Sequence, residues 1–462
     1  MNHGEVNGIP LNRHKRGREV PAIIDSISLG FRVKPVQEAI RRTLRKHRLE
    51  GSSADRKISG IVYNVFRNQG LLEKIAYDLT GLELEKLPDY IKASLLLITH
   101  VYHIDEKISS SYRRTIKRYT IKYLAGKITR DLLDNVVNAV NKITKEKWMP
   151  RSLDDVIMQR YKVSPELYRV LEESFKEINE DLEAFLEYTL NPPPRVFRVN
   201  TLKASPKAII NFLAQGGVKI EPGRYSKRTI RVHGSLTRDI IRFIESGILV
   251  PQDESSTIAV ELLDPKPGSE IADLCAAPGG KTTLLAEITQ LKSKIYSFEI
   301  FKDRARRLRL LLERTGTSKA VTIYVEDARK APEILGEEAV DYVLLDPPCT
   351  STGALARNPD VRWRFRLEDA EKLVKLQTEL LETAWKILRR NGRMMYTVCS
   401  VLPMEGEYII KKFVDRRPDA KLLSLEKPFS KSPILEETMR AWPHRHGVIG
   451  FFYALIEKTD RG

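Results

Sequence analysis

Three cysteines are spread over 462 residues, and two of them close apolar runs. Cys349 stands in "LLDPPCTSTG", directly after Asp346-Pro347-Pro348, and Cys399 in "RMMYTVCSVLPMEGE". The third, Cys275, opens the glycine-rich "CAAPGGKTT". Three cysteines cannot form a complete disulfide framework, and no Cys/His cluster has the spacing of a zinc site. They are therefore buried thiols or chemistry, and the chemistry a thiol offers is nucleophilic attack as the thiolate. An inert small hydrophobe is the commoner fate of a free cysteine. The placement of Cys349 and Cys399 at strand ends, with no spare cysteine outside the glycine loop, favours chemistry.

The loop "DLCAAPGGKTT", Asp273 to Thr283, ends one apolar strand and starts a helical pattern. Its "GGKTT" suggests a loop for a nucleoside triphosphate, but that pattern requires glycine five residues before Gly280, and position 275 is cysteine. Two acids sit where a nucleoside cofactor would need them. Glu299 follows the second strand, where a carboxylate can accept both ribose hydroxyls, and Asp327 follows the third, beside the expected purine. Loop and acids together point to an adenosine-containing cofactor.

The elements that carry these residues form a recognisable series. From about Pro251 onward, the strands "EIADLC", "KIYSFEI", "AVTIYV", "VDYVLLD" and "RMMYTVC" alternate with helical patterns, the signature of a doubly wound α/β sheet. Residues 36–145 instead read as all helical, with apolar positions recurring at three and four. The three prolines of "NPPPRVFRVNTLKAS" mark a boundary and open a β-rich stretch. The expected domains are 1–145, all-α; 146–250, linker helices and a small α+β domain; and 251–462, the α/β domain.

Charge adds a partner. Lys and Arg total 78 against 61 Asp and Glu, a net charge of +17, and an excess of one sign suits a polyanion such as nucleic acid. "SSYRRTIKRYTIKYLAGKITR" carries six basic residues from Arg113 to Lys127, interleaved with Tyr112, Tyr119 and Tyr123. Two readings stand: a phosphate-binding face with stacking groups, or a solvated helix face with its tyrosines packed inward. The first twenty residues have no apolar core of signal length, and the longest apolar stretch, near "VIGFFYALI", is too short to span a bilayer. A cytoplasmic protein without membrane or metal is expected.

The acid-Pro-Pro turn resembles that of Rossmann-like methyltransferases that use S-adenosylmethionine. With Cys349 after the prolines and Cys399 ending the next strand, the resemblance narrows to the RNA cytosine-5 methyltransferases of the Sun (Fmu) type. It covers the chain from about Pro192 to the C-terminus, through "RVNTLK" at 198–203, "VPQDESS" at 250–256, "CAAPGGKT" at 275–282, "DPPCTSTG" at 346–353, the Cys399 segment and "WPHRHGVIGFFYA" at 442–454. The helical N-terminus, with "DRKISGIVYNVFRN" at 55–68, is similar to the NusB-type RNA-binding domain. The chain departs from the family pattern at Val398, where threonine is usual, and at Leu402-Pro403-Met404, where Asn-Pro-Glu is usual; Ser400, Glu405 and Glu407 remain.

The resemblance implies a Rossmann-like class I methyltransferase domain preceded by a small α+β domain and an all-α NusB-like domain. It implies S-adenosylmethionine as cofactor, held by Cys275, Ala276, Ala277, Pro278, Gly279, Gly280, Lys281, Glu299, Arg304, Asp327 and Asp346. Carbon 5 of cytosine is a poor nucleophile, so a thiolate must first add to carbon 6. The family pattern gives that role to Cys399. By the same pattern Asp346 holds the amidine edge of the base, Lys281 pairs with Asp346, and Cys349 assists the elimination that frees the product. Cys275 is expected to be a small packing residue of the cofactor loop. The RNA partner is ribosomal RNA ahead of transfer RNA, and the protein acts as a monomer. The competing class is a non-catalytic RNA-binding or ribosome-assembly factor on a methyltransferase scaffold, whose mark would be a lost cysteine or a broken cofactor loop; both are intact.

Overall fold

The computed structural model describes residues 13–460 apart from 34–35, 192 and 235. The expectations placed on the stretch through Asn12 and on Pro192 lie outside the described residues. Packing divides the chain into two compact units: Met1–Pro165 with Arg362–Arg364, and Glu166–Val361 with Phe365–Gly462. The first unit thus runs past the boundary expected at 145, and the expected linker helices are shared out between the two units. Among the described residues no helix is long and apolar enough to cross a membrane.

The described part of the first unit is helical throughout. Its helices bury one stripe each, as in Val36–Lys46, where Val36, Ala39, Ile40, Thr43 and Leu44 recur at the helical period. Asp89–Thr99, "DYIKASLLLIT", is buried all along Ala93 to Thr99 and forms the centre of the core. The basic segment is the helix Ser110–Ala125, capped by the Ser109 side chain accepting from Tyr112 N. Its tyrosines turn inward: Tyr112 Oη donates to Glu19 at 3.3 Å, Tyr123 Oη donates to Asp25 at 2.5 Å, and Tyr119 packs on the core. Of the two readings of this segment, the tyrosines follow the one in which they pack inward. Arg114, Arg118 and Lys122, four residues apart, stand exposed on one face of the helix. Trp363, from the three-residue segment that belongs to this unit, donates through Nε1 to Arg67 O at 2.9 Å and lies flat against Gly70, where a Cβ would come within 2.3 Å of its ring.

The second unit holds two sheets. Strands β1 (Arg195–Val199), β2 (Ile220–Pro222), β3 (Thr229–Val232) and β4 (Leu249–Pro251) make a small antiparallel sheet in the order β2-β3-β1-β4. Helices Pro206–Gln215 and Arg238–Glu245 cover it, packing Ile209, Leu213 and Ile240 on Phe197, Val199 and Ile230. The large sheet contains β5 (Glu270–Asp273), β6 (Lys294–Phe298), β7 (Val321–Tyr324), β8 (Val340–Leu345), β9 (Leu388–Val398), β10 (Ala420–Leu423), β11 (Ser430–Lys431), β12 (Met439–Ala441) and β13 (Phe451–Lys458). Its order is β11-β12-β13-β9-β8-β5-β6-β7, with β10 on β13. Strands β5 to β9 pair in parallel, and β13 runs antiparallel to β9. All five strands expected from the sequence are present. Chain order reverses between β5 and β8, so the carboxyl ends of these strands open a crevice at the switch point.

Fully buried ion pairs fasten the small sheet to the helices Gly280–Ile288 and Glu254–Leu263 that flank the large one. Arg198 of β1 pairs with Glu287 and donates through Nε to Gln252 Oε1 at 2.7 Å, and Arg231 of β3 pairs with Glu254. Burial pulls the Arg198 guanidinium down to about 9. Removing one partner of such a pair is costly because the other charge stays buried.

Candidate active site

The carboxyl end of β5 turns into the glycine loop. Ala276 N donates to Phe298 O of β6 at 3.0 Å and Leu274 N to Leu344 O of β8 at 3.2 Å, so the loop is tied to both neighbouring strands. Gly279 sits at φ +108, in the region open to glycine, and a Cβ there would come within 2.6 Å of Leu308 Cδ1. Behind the loop, Asp273 accepts from Thr282 Oγ1 at 2.7 Å, and burial raises its carboxyl to about 6. Arg304 bonds Ala277 O at 2.7 Å and lies 3.4 Å from the buried Glu299, which also accepts from Phe301 N at 3.0 Å.

Leu274, Ala277, Phe298, Glu299, Phe301 and Arg304 line a cavity of about 530 Å³ that also reaches Asp327, Asp346, Cys349 and Cys399. Cys275 and Ala277 are shared with a second cavity of about 330 Å³, which Ala276, Pro278, Gly280 and Lys281 line. Asp346 faces both. The sequence-derived residues therefore fall into two adjoining chambers rather than one, and Gly279 packs against Leu308 instead of facing either. Cys275 does more than fill space, since it borders both chambers. Burial first, and the neighbouring acids after it, push its thiol well above the ordinary range. Asp327 is engaged by Arg329 at 2.6 Å, and the hydrogen bonds from Arg329 keep its carboxyl low.

The two strand-end cysteines meet. Cys349 Sγ lies 3.3 Å from Cys399 Sγ, and all three cysteines are free. The hydrogen bond between them acts oppositely on the pair: it raises Cys349, where burial adds to the rise, and lowers Cys399 against burial and the field of Asp346. The pair therefore favours a thiolate on Cys399 over one on Cys349, with the Cys349 thiol placed to donate to it. Lys281 Nζ donates to Asp346 Oδ2 at 2.5 Å. Burial alone would lower the ammonium, but the attraction of Asp346 outweighs it and the pKa rises.

The loops that hold the sulfurs are bolted to each other. Glu405 accepts from Thr350 N at 2.9 Å and from Thr350 Oγ1 at 2.5 Å, and Gln377 Nε2 donates to both Glu405 and Pro348 O at 2.9 Å. Gly353 N donates to Cys399 O at 3.0 Å. A Cβ at Gly353 would fall 2.2 Å from Gly450 O, which is why the tight approach takes glycine. Arg440, buried and paired with Glu407, donates to Ser400 O at 3.1 Å. Sequence reasoning noted Glu405 and Glu407 but not their partners Thr350, Gln377 and Arg440. It also missed Phe298, Ile300 and Phe301 in the cavity wall. An apolar residue carries no chemical signal until the strand order is known. Among the described residues no group of three or more His, Cys, Asp or Glu could hold a metal.

Residues 260–457 match the sequence model of the 16S rRNA methyltransferase RsmB/F family. The chain is 35% identical over 266 residues to ribosomal RNA small subunit methyltransferase B of Photorhabdus laumondii, a match that covers 58% of this chain and 60% of that protein. It thus spans about three fifths of the length of the curated relatives it matches. The crystal structure of PH0851 aligns with a TM-score of 0.89 at 35% identity, over 98% of this chain and 99% of that one. A methyltransferase homolog protein from Pyrococcus horikoshii aligns at 0.56 and 29% identity, over 64% of this chain and all of its own.

Proposed function

Since residues 260–457 match the model of the RsmB/F methyltransferase family, we propose that the chain transfers a methyl group from S-adenosylmethionine to carbon 5 of a cytosine in RNA, through a covalent adduct on Cys399. The single observation that carries this reading is the pair of sulfurs, 3.3 Å apart at the edge of a cavity that also presents an acid.

The larger cavity suits the cofactor. Glu299 is buried and held by Phe301 N and Arg304, an acceptor fixed for vicinal hydroxyls, and the apolar Phe298, Ile300 and Phe301 beside it suit a purine face. When bound, S-adenosylmethionine supplies an electrophilic methyl on a sulfonium. Cys399 supplies the thiolate that adds to carbon 6, with its electron pair forming the carbon–sulfur bond. Asp346, steadied by Lys281, holds the amidine edge while ring nitrogen 3 gains a proton. Cys349 donates to Cys399 before addition; once the sulfur pair is in the carbon–sulfur bond, Cys349 gives its own proton to water and as thiolate takes the carbon 5 proton, whose bonding pair reforms the 5,6 double bond while the carbon–sulfur pair returns to Cys399 and ring nitrogen 3 releases its proton to water.

Ribosomal RNA is the substrate favoured here over transfer RNA, with the protein acting in the cytoplasm as a monomer. The helical first unit contributes RNA affinity through phosphates at Arg114, Arg118 and Lys122. The test is a map of 5-methylcytosine in total RNA with and without the gene, paired with transfer of labelled methyl to RNA by the purified protein. A cytosine methylated only when the gene is present, and remethylated in vitro, supports the reading. An unchanged map together with no transfer overturns it.

A further inference from the structure

The loop between the two cysteines contains an unusual residue. Ser351 adopts φ +58, a left-handed conformation that glycine takes freely and that costs a serine free energy. Its neighbours leave it little choice: Thr350 is bonded to Glu405, Thr352 Oγ1 meets Ser400 Oγ at 3.0 Å and accepts from Val401 N, and Gly353 N is held by Cys399 O. A glycine would satisfy that backbone without strain. What glycine lacks is the hydroxyl, and on the wall of the larger cavity Ser351 Oγ accepts from the Cys399 thiol at 3.5 Å, a contact that the hydroxyl can reverse once the sulfur has lost its proton.

We propose that Ser351 is a further catalytic residue whose hydroxyl donates a hydrogen bond to the sulfur of Cys399 and stabilises the attacking thiolate. The proposal rests on Cys399 being the nucleophile. The Cys399 thiol gives its proton to water entering the cavity, while Ser351 keeps its own proton and turns it toward the sulfur. When the pair on sulfur becomes the bond to carbon 6, the hydroxyl loses its acceptor; when the thioether breaks, the pair returns and the hydrogen bond reforms. Ser351 thus favours the thiolate both before addition and after elimination. The other groups that act on Cys399 are Cys349, which stabilises the charge, Asp346, which opposes it, and Lys281, which favours it; Arg440 behind Ser400 is neutralised by Glu407. Ser351 lowers the Cys399 thiol together with Cys349.

Two substitutions in the full chain separate backbone from hydroxyl. Ser351→Gly relieves the strained φ and removes the hydroxyl; Ser351→Ala removes the hydroxyl alone. The readout is the rate of Cys399 alkylation by iodoacetamide as a function of pH, located by peptide mass spectrometry, with thermal unfolding alongside. Both variants are expected to move the alkylation midpoint up by about one pH unit, a ~tenfold loss of thiolate at neutral pH. Ser351→Gly alone is expected to unfold at higher temperature than the parent. An alkylation profile unchanged in either variant overturns the proposal. The measurement needs neither RNA nor cofactor, so a shifted profile in a protein that methylates no RNA would keep the hydrogen bond from Ser351 to the Cys399 thiolate and reject the reading of the reaction, and with it the catalytic role.

Discussion

Cys349→Ala is the perturbation that separates addition from elimination, and its effect on Cys399 can be sized from the structure. The hydrogen bond from the Cys349 thiol, across 3.3 Å, is what chiefly holds Cys399 below its ordinary range. A hydrogen bond to a charged acceptor contributes about 1.5–3 kcal/mol, roughly a 10- to 100-fold change in an ionisation equilibrium. Cys399 is lowered by its surroundings, so losing this donor lets its pKa rise, and the thiolate fraction at neutral pH falls roughly 10- to 100-fold. Adduct formation in Cys349→Ala should therefore start slowly and recover when the pH is raised by about two units. Elimination has lost its helper at every pH, so the adduct that forms should persist. The assay incubates labelled RNA and S-adenosylmethionine with each variant at neutral and raised pH, then resolves protein-bound RNA by denaturing electrophoresis. Cys349→Ala is expected to show a band that strengthens with pH, while Cys399→Ala and the double variant show none. A band with Cys399→Ala would reverse the roles. No band from either variant, with both inactive, would refute the two-cysteine reasoning.

Other outcomes follow from particular contacts. Arg440→Met leaves Glu407 charged and buried with Ser432 as its remaining donor, and should cost about 3–5 kcal/mol in denaturant unfolding. Adding Glu407→Leu should restore most of it, and a single-variant loss within about 1 kcal/mol would mean that the site relaxes. Gly279→Val places a branched side chain at φ +108 against Leu308, and calorimetry should find S-adenosylmethionine affinity lost while the circular dichroism is retained. Reversing Arg114, Arg118 and Lys122 to glutamate should flatten the dependence of RNA binding on salt by about two units of log–log slope, at ~0.7 per phosphate of a single strand. An unchanged slope would assign that face another purpose.

The sequence made the parallel strands legible because buried parallel strands read as continuous apolar runs, and each run here ends in a chemically marked residue: Asp273, Glu299, Asp327, Asp346, Cys399. The reading also put Cys349 and Cys399, fifty residues apart, on adjacent loops of the catalytic edge; what was not legible is that their sulfurs meet at 3.3 Å beyond the ends of β8 and β9. The tyrosines of the basic helix show the opposite failure. Their spacing fitted stacking and core packing equally well, and only the acids Glu19 and Asp25, from the far end of the unit's sequence, decide it by receiving two of their hydroxyls. Domain limits escaped for a similar reason. Nothing in "VRWR" at 361–364 marks Trp363 as part of the helical unit, because its partners Arg67 and Gly70 lie nearly three hundred residues upstream.

The same limit applies at Ser351. Read as a string, "CTSTG" is an unremarkable polar turn, and serine there suggests solubility or a cap. The positive φ turns that residue into a question, since glycine would hold the same backbone without strain. Local sequence reports what a side chain can do, whereas the backbone conformation reports what was given up to keep it there. A strained serine beside a nucleophile is informative because the two considerations disagree, and the disagreement is resolved only if the hydroxyl does something glycine cannot.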